Sequence, residues 1–160
     1  MFTSVILGAG KSTRMKANKS KLLFNIAGKP VISHILSSLK AAKAKHNICV
    51  INNSSAELIK ILQAEKISFA YQKILDGTAG AVKAALKSKK NSNSKILILC
   101  GDVPFITSSS IKKLVAKLKN HDAVVGTVEL ESPKGYGRIV RVNNKFSSIV
   151  EEQETTPDER

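Results

Sequence analysis

The sequence predicts an α/β fold in which a mostly parallel sheet is flanked by helices. Short apolar runs that indicate buried strands alternate with amphipathic helical patterns over most of the 160 residues. The run at residues 96–99, Ile-Leu-Ile-Leu, is the most apolar of them. After residue 135 this alternation ends, and two strand patterns separated by a turn follow. The prediction is therefore a parallel sheet followed by a late β-hairpin.

Five strand patterns are expected to form the parallel sheet. They cover residues 3–7, 48–52, 67–71, 96–99 and 123–128. The hairpin strands are expected at residues 138–142 and 146–150, with Asn143-Asn144 as the turn between them.

Helical patterns fill the intervals between the strands. Pro30 should open the first helix, because its fixed φ angle suits a helix start, and Ser54-x-x-Glu57 has the spacing of a capping box for the second. Two more helices are expected at about residues 78–90 and 109–119. The apolar face of the first helix consists of Val31, Ile32, Ile35, Leu36 and Leu39, and that of the second of Leu58, Ile61 and Leu62.

Composition predicts one globular domain. A chain of 160 residues with 42% hydrophobic content is long enough to bury a core. No apolar run approaches the ~18 residues of a membrane span, and the first strand is too short for a signal peptide. We therefore expect a cytoplasmic protein without a membrane partner. Cys49 and Cys100 each lie in an apolar run, so both are expected to be reduced thiols in the core.

The net charge of +14 raises the question of nucleic-acid binding. Only four of the 26 basic residues are arginine, and 4% of all residues are aromatic. Readers of nucleic-acid sequence depend on arginine forks and aromatic stacking, so this class is disfavoured. Many lysines instead recur on the polar sides of the predicted helices, as solvated faces do. A basic module that binds nucleotides or RNA without catalysis stays open as an alternative.

A glycine-rich loop follows the first strand. Residues 7–15 are LGAGKSTRM, Lys21 comes six residues later, and the chain has no acidic residue before Glu57. Glycines let backbone N–H groups approach a phosphate, and Lys or Arg side chains add charge-assisted hydrogen bonds. The alternative is an ordinary Gly-rich turn with solvated lysines. The arginine and the absence of acids favour a phosphate-binding loop.

Three known loop types share this chemistry. A Walker A loop would need glycine where the chain has Val5, and a dinucleotide GxGxxG loop would need glycine where it has Thr13. The nucleotidyltransferase signature is L-x-x-G-x-x-[ST]-R-M with a lysine six residues later. The chain fits it at every defined position, namely Leu7, Gly10, Thr13, Arg14, Met15 and Lys21.

Two further motifs follow strands, and ligands of open α/β sheets bind at the carboxyl ends of strands. Gln72 precedes Gly77-Thr78, where an amide side chain could pair with a pyrimidine, although Asp76-Gly77 with Thr78 as helix cap would also be an ordinary turn. Cys100-Gly101-Asp102 follows the most apolar strand and offers a carboxylate to Mg²⁺. A turn-forming aspartate is the alternative there.

Together these segments resemble the uridyltransferase domain of the bifunctional N-acetylglucosamine-1-phosphate uridyltransferase/glucosamine-1-phosphate acetyltransferase family, within the MobA-like NTP transferase superfamily. The resemblance rests on LGAGKSTRM with Lys21, IAGKP at 26–30, Gln72 with Gly77-Thr78, GDVP at 101–104, GYGRIVR at 135–141 and IVEE at 149–152. It implies a Rossmann-like nucleotide-diphospho-sugar transferase fold. It also implies transfer of UMP from UTP to N-acetylglucosamine 1-phosphate with Mg²⁺ as cofactor, in cell-wall precursor synthesis.

The resemblance also implies a role for each matching residue. Arg14 and Lys21 would act on the phosphates as catalytic residues, Asp102 would bind Mg²⁺, and Gly137 and Glu151 would contact the sugar. Nucleotide binding would involve Leu7, Gly8, Ala9, Gly10, Lys21, Gln72, Gly77, Thr78, Cys100, Gly101 and Asp102.

The resemblance covers residues 1–160 as one nucleotidyltransferase domain that is expected to be incomplete at its C-terminal end. A second metal ligand and the trimer-forming acetyltransferase β-helix have no counterpart here, so the oligomeric state and the activity of this chain alone stay open. A cytidylyl- or guanylyltransferase of the molybdenum-cofactor type is an alternative, since it shares S-x-R-M and K-L-L; the segments GYGRIVR and IVEE argue against it.

Overall fold

The computed structural model describes residues 1–10, 19–52, 56–88 and 95–156. The chain forms two compact units, Met1–Ala123 and Val124–Arg160, which are described separately below. Within the described ranges, no helix is both long and apolar enough to cross a bilayer.

The first unit is an α/β layer structure. Its helices and strands, in chain order, are β1 (Phe2–Leu7), β2 (Asn25–Ile26), β3 (Lys29–Pro30), α1 (Val31–Ala41), β4 (His46–Ile51), α2 (Ala56–Ala64), β5 (Ser68–Tyr71), α3 (Gly77–Lys87), β6 (Lys95–Cys100) and α4 (Ser108–Lys117). A short 3-10 turn spans Lys21–Leu23.

Four of these strands form a parallel sheet in the order β5-β4-β1-β6. Leu7, at the end of β1, lies opposite Val50 on one side and Cys100 on the other. The chain adds strands on one side of β1 and then returns to add β6 on the other, so the strand order reverses at β1. Such a reversal opens a crevice at the carboxyl ends of the strands, where ligands of α/β proteins bind. The predicted parallel sheet is confirmed.

The hydrophobic core lies between the sheet and the helices. The predicted apolar face of α1 is buried in full, from Val31 to Leu39, and Leu58 and Leu62 of α2 are buried beside it. On the sheet, Ile6 and Cys49 are fully buried. The helical lysines that the sequence assigns to solvent do lie there, as Lys83, Lys87, Lys112, Lys113, Lys117 and Lys119 are all exposed. Burial of one apolar face per helix therefore fixes the layers.

One predicted strand is wrong. In the described part of the chain, residues 123–128 pair with no other strand. Val125 is 53% exposed and Val128 69% exposed, so the apolar residues that suggested a strand are not packed as in one. The segment also crosses the boundary between the two units. A strand needs hydrogen bonds from a neighbour, and periodicity alone cannot supply that neighbour.

The second unit contains the predicted hairpin, formed by antiparallel β7 (Arg138–Val142) and β8 (Lys145–Val150). Val142 pairs with Lys145, which leaves Asn143 and Asn144 as a two-residue turn with φ angles of 49° and 62°. Positive φ at both positions defines the turn type that matches strand twist, and asparagine tolerates it. A 3-10 turn at Glu152–Glu154 follows.

Candidate functional site

An open pocket of about 560 Å³ lies in the first unit at the carboxyl edge of the sheet. It reaches from the ends of β1 and β6 to the start of α3. Its lining consists of Leu7, Ala9, Gly10, Lys21, Gln72, Leu75, Gly77, Thr78, Ala81, Cys100 and Asp102. Three motifs that are far apart in the sequence therefore meet at one site, as their positions after strands predicted.

Gly8 and Gly101 do not line the pocket, although the sequence placed both in the nucleotide site. They are buried beneath it, next to the side chain of Leu22. A Cβ on Gly101 would lie 2.7 Å from the backbone oxygen of Leu7, and one on Gly8 would lie 3.0 Å from that of Val50. Neither position has room for a side chain. These glycines allow the strand ends and Leu22 to pack closely.

Lys21 and Asp102 form an ion pair at the pocket. The Lys21 Nζ donates to Asp102 Oδ2 at 2.7 Å, and the two side chains are 26% and 59% exposed. The 3-10 turn positions the lysine: Ser20 Oγ accepts a hydrogen bond from the Leu22 backbone N–H, and Leu22 and Leu23 are buried. Because its neighbours are anchored in the core, the backbone of Lys21 is fixed at the pocket, and the ion pair holds its side chain to Asp102.

Gln72 closes another side of the pocket and is almost fully buried. Its backbone N–H donates to Ile51, which continues the sheet ladder one residue beyond β5. Its side-chain Nε2 donates to Asp76 Oδ1 at 2.9 Å and to the Gly77 backbone oxygen at 3.0 Å. Gly77 has a φ of +91°, which only glycine adopts without strain.

Helix α3 begins directly at the pocket. Asp76 is its N-cap residue, without a side-chain capping bond, and Thr78 lies inside the first turn rather than at the cap. The first N–H groups of a helix have no partner within the helix and carry a partial positive charge. The pocket therefore offers a lysine cation from the 3-10 turn and the unpaired backbone N–H donors of a helix start.

Sequence reasoning missed Asn52. Its Nδ2 donates to the Ala9 backbone oxygen at 2.8 Å, which ties the loop after β1 to the end of the neighbouring strand β4. The signal was present, because Asn52 is a polar residue directly after a strand that ends at the same edge of the sheet. Leu75 and Ala81, which add apolar lining, were missed as well.

The prediction of two core thiols is half wrong. Cys49 is fully buried, and burial raises its pKa to about 12. Cys100 is free but exposed, because side chains of an edge strand alternate between the core and the open face. Loss of hydration in the pocket, with a smaller effect of Asp102, raises the pKa of Cys100 above its ordinary 9.0, and Lys21 partly opposes this.

We expect a maleimide to modify Cys100 alone in the folded protein, and slowly at neutral pH. The thiolate is the reactive form, and a raised pKa reduces its fraction, so the rate should still be rising above about pH 9. The measurement is the labelling rate against pH by mass spectrometry, with Cys100→Ser as the control. Labelling of Cys49 before denaturation, or a plateau near neutral pH, would contradict the assignment.

The predicted sugar-binding residues lie together in the second unit. A Cβ on Gly137 would be 3.3 Å from the Val150 backbone oxygen and 3.9 Å from Glu151 Oε2. Arg138, the next residue, donates to the backbone oxygens of Pro133 and Tyr136 and contacts Glu152 at 3.9 Å. The hairpin pairing brings Gly137 and Glu151 next to each other across the strands.

The remaining predicted residue, Arg14, lies outside the described residues, as do the Lys11, Ser12 and Thr13 that precede it. The phosphate loop is described only for Leu7 to Gly10 and again from residue 19.

The first unit is an α/β fold with an open pocket at the carboxyl edge of its parallel sheet. The sequence matches the family described as MobA-like NTP transferase domain over residues 4–141. The chain therefore belongs to the MobA-like NTP transferase family, and its class is nucleotidyltransferase.

Relatives and solved structures agree with this class. The chain is 37% identical over 156 residues to the bifunctional protein GlmU of Buchnera aphidicola subsp. Acyrthosiphon pisum, and 36% identical to that of subsp. Schizaphis graminum. These matches cover 98% of this chain but 34% of each relative, so the chain spans about a third of their length.

Among solved structures, HddC from Yersinia pseudotuberculosis is 25% identical with a TM-score of 0.77, covering 94% of this chain and 69% of that one. Rv0371c from Mycobacterium tuberculosis H37Rv, in a complex with manganese, is 16% identical with a TM-score of 0.59, covering 72% of this chain and 58% of the other. The latter likeness concerns the fold alone.

Proposed function

We propose that this chain transfers UMP from UTP to N-acetylglucosamine 1-phosphate, giving UDP-N-acetylglucosamine and pyrophosphate. The observation that carries the proposal is that one pocket brings together Lys21, Asp102, Gln72 and the Gly77-Thr78 helix start. The identity to GlmU over 98% of this chain supports it, together with the motifs GDVP and GYGRIVR. As part of the proposal, the protein acts in the cytoplasm in peptidoglycan precursor synthesis.

In the proposed complex the pocket has a base end and a phosphate end. Gln72 and the backbone at Gly77-Thr78 face the uracil, because the amide oxygen offers an acceptor and the backbone N–H groups of the helix start offer donors. Leu7, Ala9 and Gly10 lie under the nucleotide, with Cys100 at the far wall. Lys21 binds phosphate oxygens as a point charge. Gly8 and Gly101 take part only by keeping the pocket floor closely packed.

The pocket residues fit a divalent metal that is held partly by the substrate, as Mg²⁺ commonly is. Among the described residues there is no cluster of three His, Cys, Asp or Glu side chains that could hold a metal by themselves. Asp102 offers a hard, exposed carboxylate in the pocket. Mg²⁺ is typically held by one or two carboxylates, substrate phosphates and water, so Asp102 suits it. When bound, Mg²⁺ would offset negative charge on the triphosphate.

The chemistry needs no covalent intermediate. An oxygen of the sugar phosphate attacks the α-phosphorus of UTP, and pyrophosphate leaves from the opposite side. Both reactants are anions, so the protein contributes by holding them in line and by offsetting their charge. Lys21 and Arg14 serve the second purpose. For the second unit, the family resemblance supports Gly137 and Glu151 as the residues that contact the amino sugar.

The proposal predicts that the 160-residue chain binds UTP in a Mg²⁺-dependent manner. Isothermal titration with UTP, CTP, GTP and ATP measures this directly. Asp102→Ala should weaken binding of UTP in the presence of Mg²⁺ by at least about tenfold, or about 1.4 kcal/mol, because it removes the carboxylate offered to the metal. Asp122→Ala, which removes an exposed carboxylate outside the pocket lining, is the matched control.

Other results of the binding experiment would favour the alternative functions. Preference for CTP or GTP would favour the molybdenum-cofactor type of transferase. Binding of RNA with a steep salt dependence, and without preference among nucleotides, would favour a basic binding module. Failure of a folded chain to bind UTP would contradict the proposed function.

A further inference from the structure

We propose that Asp76 fixes the side-chain amide of Gln72 in one orientation, so that the pocket selects a base that presents an N–H donor to Gln72. Uracil presents such a donor at the ring nitrogen N3. Cytosine has an acceptor at N3, and its donor is the exocyclic N4 amino group, so it could reach the same Gln72 acceptor only by shifting along its edge. The inference rests on the proposed function, because it places the base of the nucleotide against Gln72.

The hydrogen bonds of Gln72 leave one polar atom for a ligand. Both hydrogens of its Nε2 are used, one by Asp76 Oδ1 at 2.9 Å and one by the Gly77 backbone oxygen at 3.0 Å. Its Oε1 accepts no hydrogen bond from the described part of the chain. Among the described residues, the one buried side-chain polar atom without a hydrogen-bond partner is Arg138 Nε, so Gln72 Oε1 is not fully buried. Oε1 is therefore accessible, and a carbonyl oxygen only accepts hydrogen bonds.

The opposite orientation of the amide would be unfavourable. A flip of Gln72 would place Oε1 against the Asp76 carboxylate and the Gly77 carbonyl, so that three acceptors would meet without a donor. The carboxylate is the stronger of the two acceptors, because hydrogen bonds to charged groups are stronger than neutral ones. Asp76 makes no capping bond to α3, so its side chain serves Gln72 instead.

Gly80 provides the space for this contact. A Cβ at position 80 would overlap the Asp76 carboxylate, with the nearest atom being Oδ1, the acceptor for Gln72. Helices normally favour alanine over glycine, and Gly80 lies in the first turn of α3 without a positive φ angle that would require glycine. The absence of a side chain at Gly80 therefore matches the position of Asp76.

The test is the ratio of the affinities for UTP and CTP, measured by titration with Mg²⁺. In Asp76→Asn the new amide also donates, so that either orientation of Gln72 finds a partner. We expect the preference for UTP over CTP to fall about fivefold, because the two bases would no longer differ by one hydrogen bond to Gln72. Gly80→Ala keeps the charge but displaces the carboxylate, and it should change the ratio in the same direction. Circular dichroism checks that both variants are folded.

The control is Asp122→Asn, which makes the same change of charge at an exposed residue outside the pocket lining and should leave the ratio unchanged. If the unmodified chain prefers UTP and both variants keep its ratio to within about twofold, Asp76 does not set the preference, while the proposed function stands. A folded unmodified chain without affinity for UTP would overturn the proposed function and this inference with it.

Discussion

Lys21→Ala is expected to lower kcat/KM for pyrophosphate release by about 100-fold or more without unfolding the protein, because preorganised charge at a reacting phosphate contributes on that scale. The Lys21 side chain lies in the pocket, 2.7 Å from Asp102, and is only 26% exposed. Water that replaces the ammonium group cannot offset the charge of the triphosphate equally well, since it must reorient. The effect should appear mainly in kcat if Lys21 acts in the transition state.

Two further variants make the result interpretable. Lys113→Ala removes an exposed lysine from α4 and should leave kcat/KM unchanged, which controls for the loss of one positive charge. Lys21→Arg keeps the charge but replaces a compact ammonium by a planar group, so we expect partial activity. Activity of Lys21→Ala within about twofold of the unmodified chain would remove Lys21 from the proposed catalytic residues.

Leu22→Ala is expected to lower the free energy of unfolding by about 2–5 kcal/mol, the range for truncation of a large buried aliphatic side chain. Leu22 is fully buried and belongs to the main core cluster. Its two methyl groups lie against Gly8 and Gly101, where no side chain is present to move into the space. The cavity should therefore remain open, which places the expected loss in the upper part of the range.

Urea denaturation followed by circular dichroism measures this loss. Leu86→Ala, a leucine of α3 that is 39% exposed, is the matched control and should cost less than about 1 kcal/mol. Because Leu22 follows Lys21 directly, the variant should also weaken UTP binding, although it changes no group of the pocket lining. A loss no larger than that of the control would mean that the site collapses around the smaller side chain.

Much of the fold was predictable because its signals are local. The apolar run that became β6 and the apolar face of α1 depend on residues close in sequence. The hairpin was predictable from Asn143-Asn144, whose positive φ angles are a property of the turn itself. Residues 123–128 failed because a strand exists only where a neighbour offers hydrogen bonds, and that neighbour is not encoded locally.

Some features of the candidate site were predictable from local sequence and others were not. The positions of Gln72 and Asp102 were predictable because each comes just after a strand and the ends of parallel strands share one edge. Lys21 was singled out by the signature of the loop after β1. The exposure of Cys100 was not, because an edge strand and a central strand have the same apolar composition. The Asp76 contact depends on a bond between side chains four residues apart and on the missing side chain of Gly80. Neither feature leaves a periodic signal.

The ion pair between Lys21 and Asp102 has a consequence for the energetics of ligand capture. In the proposed complex the lysine would turn to phosphate and the carboxylate to the metal, so each would exchange one partner for another. Binding would then gain only the difference between the new and the old interactions, and a nucleotide without metal would leave the carboxylate competing for the same lysine. The ion pair would therefore favour binding of metal and nucleotide together over binding of either alone, because only the two together give both Lys21 and Asp102 a new partner.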